Sequence, residues 1–511
     1  MRLPIVLSFA CVLAAAAPIR LHPDNPHYFL FRGRATVLIT SGEHYGSVLN
    51  PDFDYRKYLA TLAADGLNYT RIFSGSYVEA PGAFGIARNN LAPATGRFLA
   101  PWARSATPGY HNGGNKFELD RWDEAYFARL KDFVAEAGRR GIVVEMSLFS
   151  SHYADMNWAN SPLNRDNNVN ATDAIDRRLL HTLANGNILG YQERLVRKIV
   201  HELNGFDNVL YEIQNEPWSD RTVTVDTVNP YLRPPSLNLY PNAVDVADAE
   251  SMAWQARVAS WIASEEDGLP ERHLIAQNYC SFRYPVRDLA PGVSIVNFHY
   301  AYPEAARLNY GLGKALAYDE TGFAGRDDSF YRKQAWNFLF AGGGTFNNLD
   351  YSFTPGREDG TDTEPNGPGG GSAALRRQLG ILSEFLRTFD IVKMRPDPSA
   401  IVSAPGLYTQ TLSVPGEHYA IYLTGAGPAR LELAIPPGTY AAEWIDPKTG
   451  AILKRERVVQ GLLTTPPFED DIALRLSGAG VHACSGSPDP PLPAHPNSPR
   501  RAASPIYSAA R

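Results

Sequence analysis

Cysteine is scarce in this chain: of three thiols in 511 residues, Cys280 falls on an expected strand and Cys484 in a tail, so no disulfide framework is indicated. Cys11 lies in an apolar N-terminal stretch, but bulky Phe9 before it and the apolar run after it argue against a lipid anchor. Elsewhere no apolar run approaches the roughly twenty residues of a membrane span. Net positive charge is also missing. The formal charge is −6 with the two signs interspersed, which leaves no electrostatic footprint for nucleic acid or an anionic membrane. No Gly-x-Gly-x-x-Gly follows the first strand, which argues against a dinucleotide fold. There is no His-x-x-x-His or cysteine cluster for zinc, and the run from Asn157 to Asp173, rich in Asn and Asp, matches no EF-hand spacing. No metal and no cofactor is therefore expected, and a neutral substrate fits better than a charged one.

What is present is a βα rhythm. Met1 to Ala17 combines Arg2, an apolar stretch from Leu3 to Val12 and a small-residue run from Ala14, the build of a secretory signal rather than of a span. Cleavage after Ala16 and a secreted or periplasmic location are expected. Strand-like runs then recur at Ala35–Thr40, Leu67–Phe73, Ile142–Phe149, Asn208–Gln214, His273–Tyr279, Val293–Tyr300, Lys314–Glu320 and Thr345–Phe353. Helical spacing separates many of them, at Tyr55–Ala64, Trp122–Arg140, Ile188–Leu203, Val244–Glu266 and Ser329–Phe340, with another helix over Ala374–Phe389. Eight strands with intervening helices predict an α/β fold, a closed (β/α)8 barrel over residues 17–390. Short alternating runs separated by turns then predict an independent antiparallel β-sandwich over residues 391–476, and residues 477–511 have the composition of a disordered tail. Polar insertions at Gly75–Asn115, Ser150–Asn187 and Asp220–Pro241 are expected to shape the catalytic face, and Pro355–Gly371 reads as a mobile loop.

Two of these strands end on acids. Asn208–Trp218 closes on Asn215-Glu216-Pro217, where the proline stops the ladder and is expected to hold Glu216 extended. Lys314–Phe323 closes on Glu320 about a hundred residues later. In a parallel barrel the carboxyl ends of the strands carry the chemistry, and two carboxylates there are what glycoside hydrolysis needs, with a separation of about 5 to 5.5 Å for retention. Glu145 and Glu212 lie deeper and read as interior hydrogen-bonded groups, while Asp319 should face away from Glu320. Glu43-His44-Tyr45 and His152-Tyr153 follow the first and third strands as candidates for the pocket. Aromatic residues make up 11% of the chain, and Trp102, Trp158 and Trp218 fall in loop-like sequence suited to sugar stacking.

The order of these motifs, over Leu21 to Leu476, resembles the clan A (β/α)8 retaining glycoside hydrolases, especially glycoside hydrolase family five and the apiosidase-like barrels with a C-terminal β-sandwich. The matches are Tyr69-Thr70-Arg71-Ile72-Phe73, Asn215-Glu216-Pro217, His299-Tyr300 and Glu320. The likeness implies Glu216 as acid/base, Glu320 as nucleophile, Asn215 at the sugar 2-hydroxyl and Arg71 orienting the nucleophile. Substrate contacts are expected from Arg71, Asn215, His299, Tyr300, His44, His152, Trp218 and Tyr351. Two departures stand out. Tyr300 follows His299 directly where family five has His-x-Tyr, leaving Tyr300 or Tyr302 to touch the nucleophile, and Leu349-Asp350-Tyr351 replaces the usual tryptophan platform. The run Glu443–Gly450 resembles collagen-binding-like sandwich domains. A secreted enzyme cleaving β-linked poly- or oligosaccharides by double displacement, working as a monomer, is the expectation. The rival is a noncatalytic carbohydrate-binding or scaffold protein built on the same barrel, against which two intact carboxylates count.

Overall fold

A computed structural model describes residues 17–226, 243–281, 284–363 and 367–478. The signal segment, Cys11, the tip of the Asp220–Pro241 insertion, and the tail beyond residue 478 with Cys484 lie outside the described residues. The chain forms a (β/α)8 barrel with a C-terminal β-sandwich. The barrel strands are β1 (Leu38–Gly42), β2 (Tyr69–Phe73), β3 (Val143–Ser150), β4 (Val209–Asn215), β5 (Ile275–Ser281), β6 (Val293–His299), β7 (Ala315–Glu320) and β8 (Thr345–Leu349). Parallel ladders run from β2 through β3, β4, β5, β6 and β7 to β8 and on to β1. Between β1 and β2 side chains help join the edges: Asn68 accepts from the Ile39 amide at 2.8 Å and donates to the Val37 carbonyl at 2.9 Å, and the Tyr58 hydroxyl bridges the Glu43 amide and Thr70. No helix among the described residues is long and apolar enough to cross a membrane.

Alternation along the strands sorts the barrel interior into layers. Leu38, Tyr69, Val143, Leu210, Ile295 and Ala315 fill its base, packed against Ile19, Phe29 and Phe31 of the N-terminal segment. Two residues further along their strands, Arg71, Glu145, Glu212 and Asn297 form a fully buried polar layer. Outside, helices bury their apolar stripes on the strands, and five of them start at an Asp or Ser whose side chain accepts a first-turn amide: Asp54, Asp123, Asp248, Asp327 and Ser372.

Local expectations shift in three places. The first strand expected at Ala35–Thr40 is two, because Arg34–Thr36 pairs with Asn25–Phe31 and the barrel strand starts at Leu38. The helix expected from Val244 begins at Ala249; Ala243–Ala247 alternates apolar and polar residues and pairs as a strand with Thr222–Asp226. The Pro355–Gly371 loop is tied down where it is described, Arg376 donating to the Gly360 carbonyl at 3.0 Å and Arg88 to Asp362 at 2.7 Å.

The sandwich packs a six-stranded sheet against a three-stranded one. Along its strand His418–Ala426, Tyr419, Ile421 and Leu423 fill the core between the sheets, whereas Ala420 and Tyr422 join the barrel core. Tyr422 stacks on Trp336 with ring centroids 5.1 Å apart. Its hydroxyl donates at 2.7 Å to Asp471, which also takes two 2.8 Å bonds from buried Arg332 of the barrel helix Asp328–Phe340. One face of the module's sheet thus packs into the barrel's outer core. Replacing Asp471 with Ala leaves the Arg332 guanidinium buried without its carboxylate, and should lower unfolding free energy by about 3–5 kcal/mol. Denaturant unfolding measures this; a loss below about 1 kcal/mol would mean the pair is solvated.

Candidate active site

Arg71 is the centre of the polar layer. Its guanidinium donates to Glu212 at 2.5 and 3.1 Å, to Asn215 Oδ1 at 2.7 Å and to Glu320 Oε2 at 3.3 Å, and lies 3.5 Å from Asp319. Burial disfavours its charge, but Glu212, Asp319 and Glu320 outweigh that and hold its pKa well above the usual value. Asn297 Nδ2 links Glu145, Glu212 and Asp319 at 2.7 to 3.1 Å, and Tyr69 and Ser147 donate to Glu145 and Glu212. Burial, then the charges of Glu212 and Asp319, push Glu145 up to about 8.

Asp319 was expected to face away from Glu320, yet both reach Arg71. The β6–β7 register slips at Phe298/His299, so that Phe298 pairs with Tyr318 and His299 with Glu320. Such a bulge turns successive residues to one side. Glu320 is thereby aimed into the mouth of the barrel, where Tyr300 donates to Oε1 at 2.6 Å and Tyr45 to Oε2 at 2.8 Å. Tyr300 is thus the strand-six tyrosine that touches this carboxylate.

Glu216 faces it from the end of β4. His299 Nδ1 lies 2.8 Å from Glu216 Oε1 and 3.5 Å from Glu320 Oε1. Burial lowers the pKa of His299, but Glu320 and Asp319 win and hold it well above its ordinary value. One oxygen from Glu216 and one from Glu320 lie within 4.8 Å of each other. The backbone of Glu216 is left-handed, at φ 47° and ψ 53°, not extended. Its amide donates to Asn278 Oδ1 at 2.8 Å and its carbonyl accepts from Ser151 Oγ at 2.6 Å, which overrides the preference imposed by Pro217. Tyr45 and Tyr300 are also left-handed, at φ 52° and 47°. At about 1–3 kcal/mol each, such conformations persist only where the surroundings over-determine them.

A cavity of about 330 Å³, open solvent at its mouth included, opens over this pair, lined by His44, Tyr45, Phe73, Glu79, Phe84, Leu91, Tyr153, Asn215, Glu216, Tyr300, Glu320 and Phe323. Of the expected substrate contacts, His44, Asn215 and Tyr300 line it, Arg71 lies beneath, and His299 stands behind the carboxylates. Trp218 meets His299 edge-on at 5.6 Å, and Tyr351 stacks on His44 at 5.9 Å. His152 is packed edge-on against Tyr77 and Trp158, and burial drops its pKa to about 3. Trp102 is buried against Trp122 and offers no sugar platform. Glu79, Phe84 and Phe323 escaped the sequence reading because they sit in loops without periodicity. Glu79 accepts from His44 Nε2 at 3.2 Å, and the pairing holds His44 above its ordinary pKa against the opposing effect of burial.

Two clusters of three side chains each bring ligand-type atoms within 4.8 Å of one another: Glu216, His299 and Glu320, and Glu145, Glu212 and Asp319. Arg71 pairs with Glu320 in the first and with Glu212 and Asp319 in the second.

No protein-family model and no curated protein matches the chain. Solved structures share its fold. A candidate glycoside hydrolase from Bacteroides vulgatus ATCC 8482 is similar at 14% identity and TM-score 0.60, over 91% of this chain and 82% of that one. A glycoside hydrolase family 5 protein from the same strain is similar at 12% identity and TM-score 0.56, over 90% and 93%. A third protein, named a glycoside hydrolase, gives 13% and 0.57 over 91% and 97%.

Glu145 makes the buried layer testable. Its folded pKa, about 8, lies above the ordinary 4.5, so between those values the folded protein keeps a proton that the unfolded chain has released. The stability it contributes is fully present below about pH 4.5 and is lost as pH rises through about 8, at no more than about 1.4 kcal/mol per pH unit. Glu145→Gln should flatten this decline, so that its melting temperature overtakes the wild type's towards pH 9. Parallel profiles for the two proteins would show that Glu145 ionises freely.

Proposed function

We propose that the protein is an exported retaining glycoside hydrolase acting on β-linked oligo- or polysaccharides. The observation that carries this reading is the Glu216–Glu320 pair, its oxygens within 4.8 Å, at the mouth of the barrel in an aromatic-lined cavity. Glu320 receives hydrogen bonds from two tyrosines and Arg71, which fix its direction and stabilise it as a carboxylate nucleophile. An oxygen of Glu320 attacks the anomeric carbon as the bond from that carbon to the leaving oxygen breaks, and Glu216 gives its proton to that oxygen. Water then attacks the same carbon, Glu216 takes the proton, and the bond to Glu320 breaks to free the sugar with its original configuration. His299, within reach of both carboxylates, keeps Glu216 aimed at the leaving oxygen. Asn215, fixed by Arg71 and by its 2.6 Å bond to the Tyr153 hydroxyl, is the contact for the sugar 2-hydroxyl. The fold shared with glycoside hydrolases supports the reading.

The two glutamates act in different steps, so their variants should differ. Glu320→Gln should cut turnover by roughly 10⁴-fold or more on every substrate. Glu216→Gln should cost about 10² to 10⁴-fold on unactivated glycosides, yet still form the intermediate from an activated aryl glycoside, with azide rescuing turnover as a β-glycosyl azide. Unchanged hydrolysis of an unactivated substrate by Glu216→Gln would overturn the assignment and favour the binding-protein alternative.

A further inference from the structure

Of the twelve residues lining the cavity, ten are buried or half-buried, and only Phe84 and Phe323 are exposed, each by 43%. Far from them the wall is closed. His44 and Glu79 are paired, Glu79 also accepts from Asn89 and Tyr77, and Phe73 and Leu91 complete the surface. The described residues thus line a pocket whose exposed rim is at Phe84 and Phe323, with its other lining residues buried or half-buried. A polysaccharide threading through needs an opening on each side.

The two phenylalanines are held at the mouth by fixed backbone. Phe84 has φ 55°, rare for a residue with a side chain, between Gly82 and Gly85. Phe323 follows Gly322, at φ 114°, where a Cβ would come within 2.8 Å of Leu349, and a Cβ on Gly369 would meet the Gly322 carbonyl at 1.6 Å. Both rings border the cavity over the carboxylates, within reach of whatever enters it. They stand on opposite sides of the mouth. Phe84 meets Tyr153 edge-on at 5.1 Å, and Tyr153 contacts Asn215 on the Glu216 side; Phe323 meets Tyr300 at 5.5 Å, on the Glu320 side.

Building on the glycosidase reading, we infer that the pocket holds one terminal sugar, making the enzyme exo-acting, and that Phe84 and Phe323 grip the group that leaves. Neither phenyl ring offers a hydrogen bond, so the grip recognises apolar surface: the carbon face of a sugar, or an alkyl or aryl aglycone.

The test uses the full chain with β-glycosyl fluorides, octyl β-glycosides and reducing-end-labelled β-linked oligosaccharides of glucose, mannose, galactose and xylose. Expected from the labelled oligomers is loss of one sugar at a time from the unlabelled end. Phe84→Ala and Phe323→Ala should each lower the ratio of kcat/KM for the octyl glycoside to that for the fluoride by about tenfold, a ratio that does not depend on how much variant folds. Internal cleavage of the oligomers, or an unchanged ratio in both variants, overturns the inference while leaving the glycosidase reading standing. Failure of the wild type on every glycoside removes both.

Discussion

Everything at the mouth of this barrel depends on one buried cation. Arg71 has no exposed side-chain surface and touches Glu212, Asp319, Glu320 and Asn215. Carboxylates this close inside a protein repel one another strongly, and a planar guanidinium with five donors can bind several of them at once in fixed directions. A lysine would bring the same charge without the geometry: its ammonium could not span Glu212 below and Glu320 above. The arrangement also couples depth to direction, because whatever moves Glu212 moves Arg71, and Arg71 in turn holds one oxygen of Glu320.

The layered interior explains how such a cluster survives folding. Apolar base, charged middle and reactive top follow from two-residue alternation along parallel strands, so the charges face one another only once the barrel has closed. The strained positions then lie just past the strand ends, at Tyr45 after β1, Glu216 after β4 and Tyr300 after β6. Each presents a group of the candidate site, and Tyr300 follows directly on the slip of β6 against β7 at Phe298/His299.

How much of this was legible in sequence follows from the same physics. Strand-end motifs such as Asn215-Glu216-Pro217 and Glu320 announce themselves because periodicity marks the strands and proline or glycine marks their ends. Asp319 was misjudged because alternation assumes an unbroken ladder, and a one-residue slip against β6 is invisible in one strand read alone. Glu216 was expected extended because proline's local preference can be read from sequence, whereas the opposing bonds from Asn278 and Ser151 come from elsewhere in the chain. Trp102 looked like a loop residue since its strand, Trp102–Pro108, pairs only with Asn115–Trp122 in a two-stranded excursion. Phe84 and Glu79 belong to an insertion with no period at all. The sandwich was readable as strands, but Tyr422 and Asp471 face the barrel on alternate-residue patterns that serve either surface equally well.

The seam between β1 and β2 bears on how the molecule breathes. Where neighbouring strands share a ladder, opening requires several hydrogen bonds to break together; here Asn68, Tyr58 and a few backbone contacts stand in for that ladder. Local opening begins where cooperative bonding is thinnest. Tyr45, which follows β1, and Arg71, on β2, stand on opposite lips of this seam, and both hold the same oxygen of Glu320. The Glu320 carboxylate is thus itself one of the ties across the joint, its other oxygen held by Tyr300.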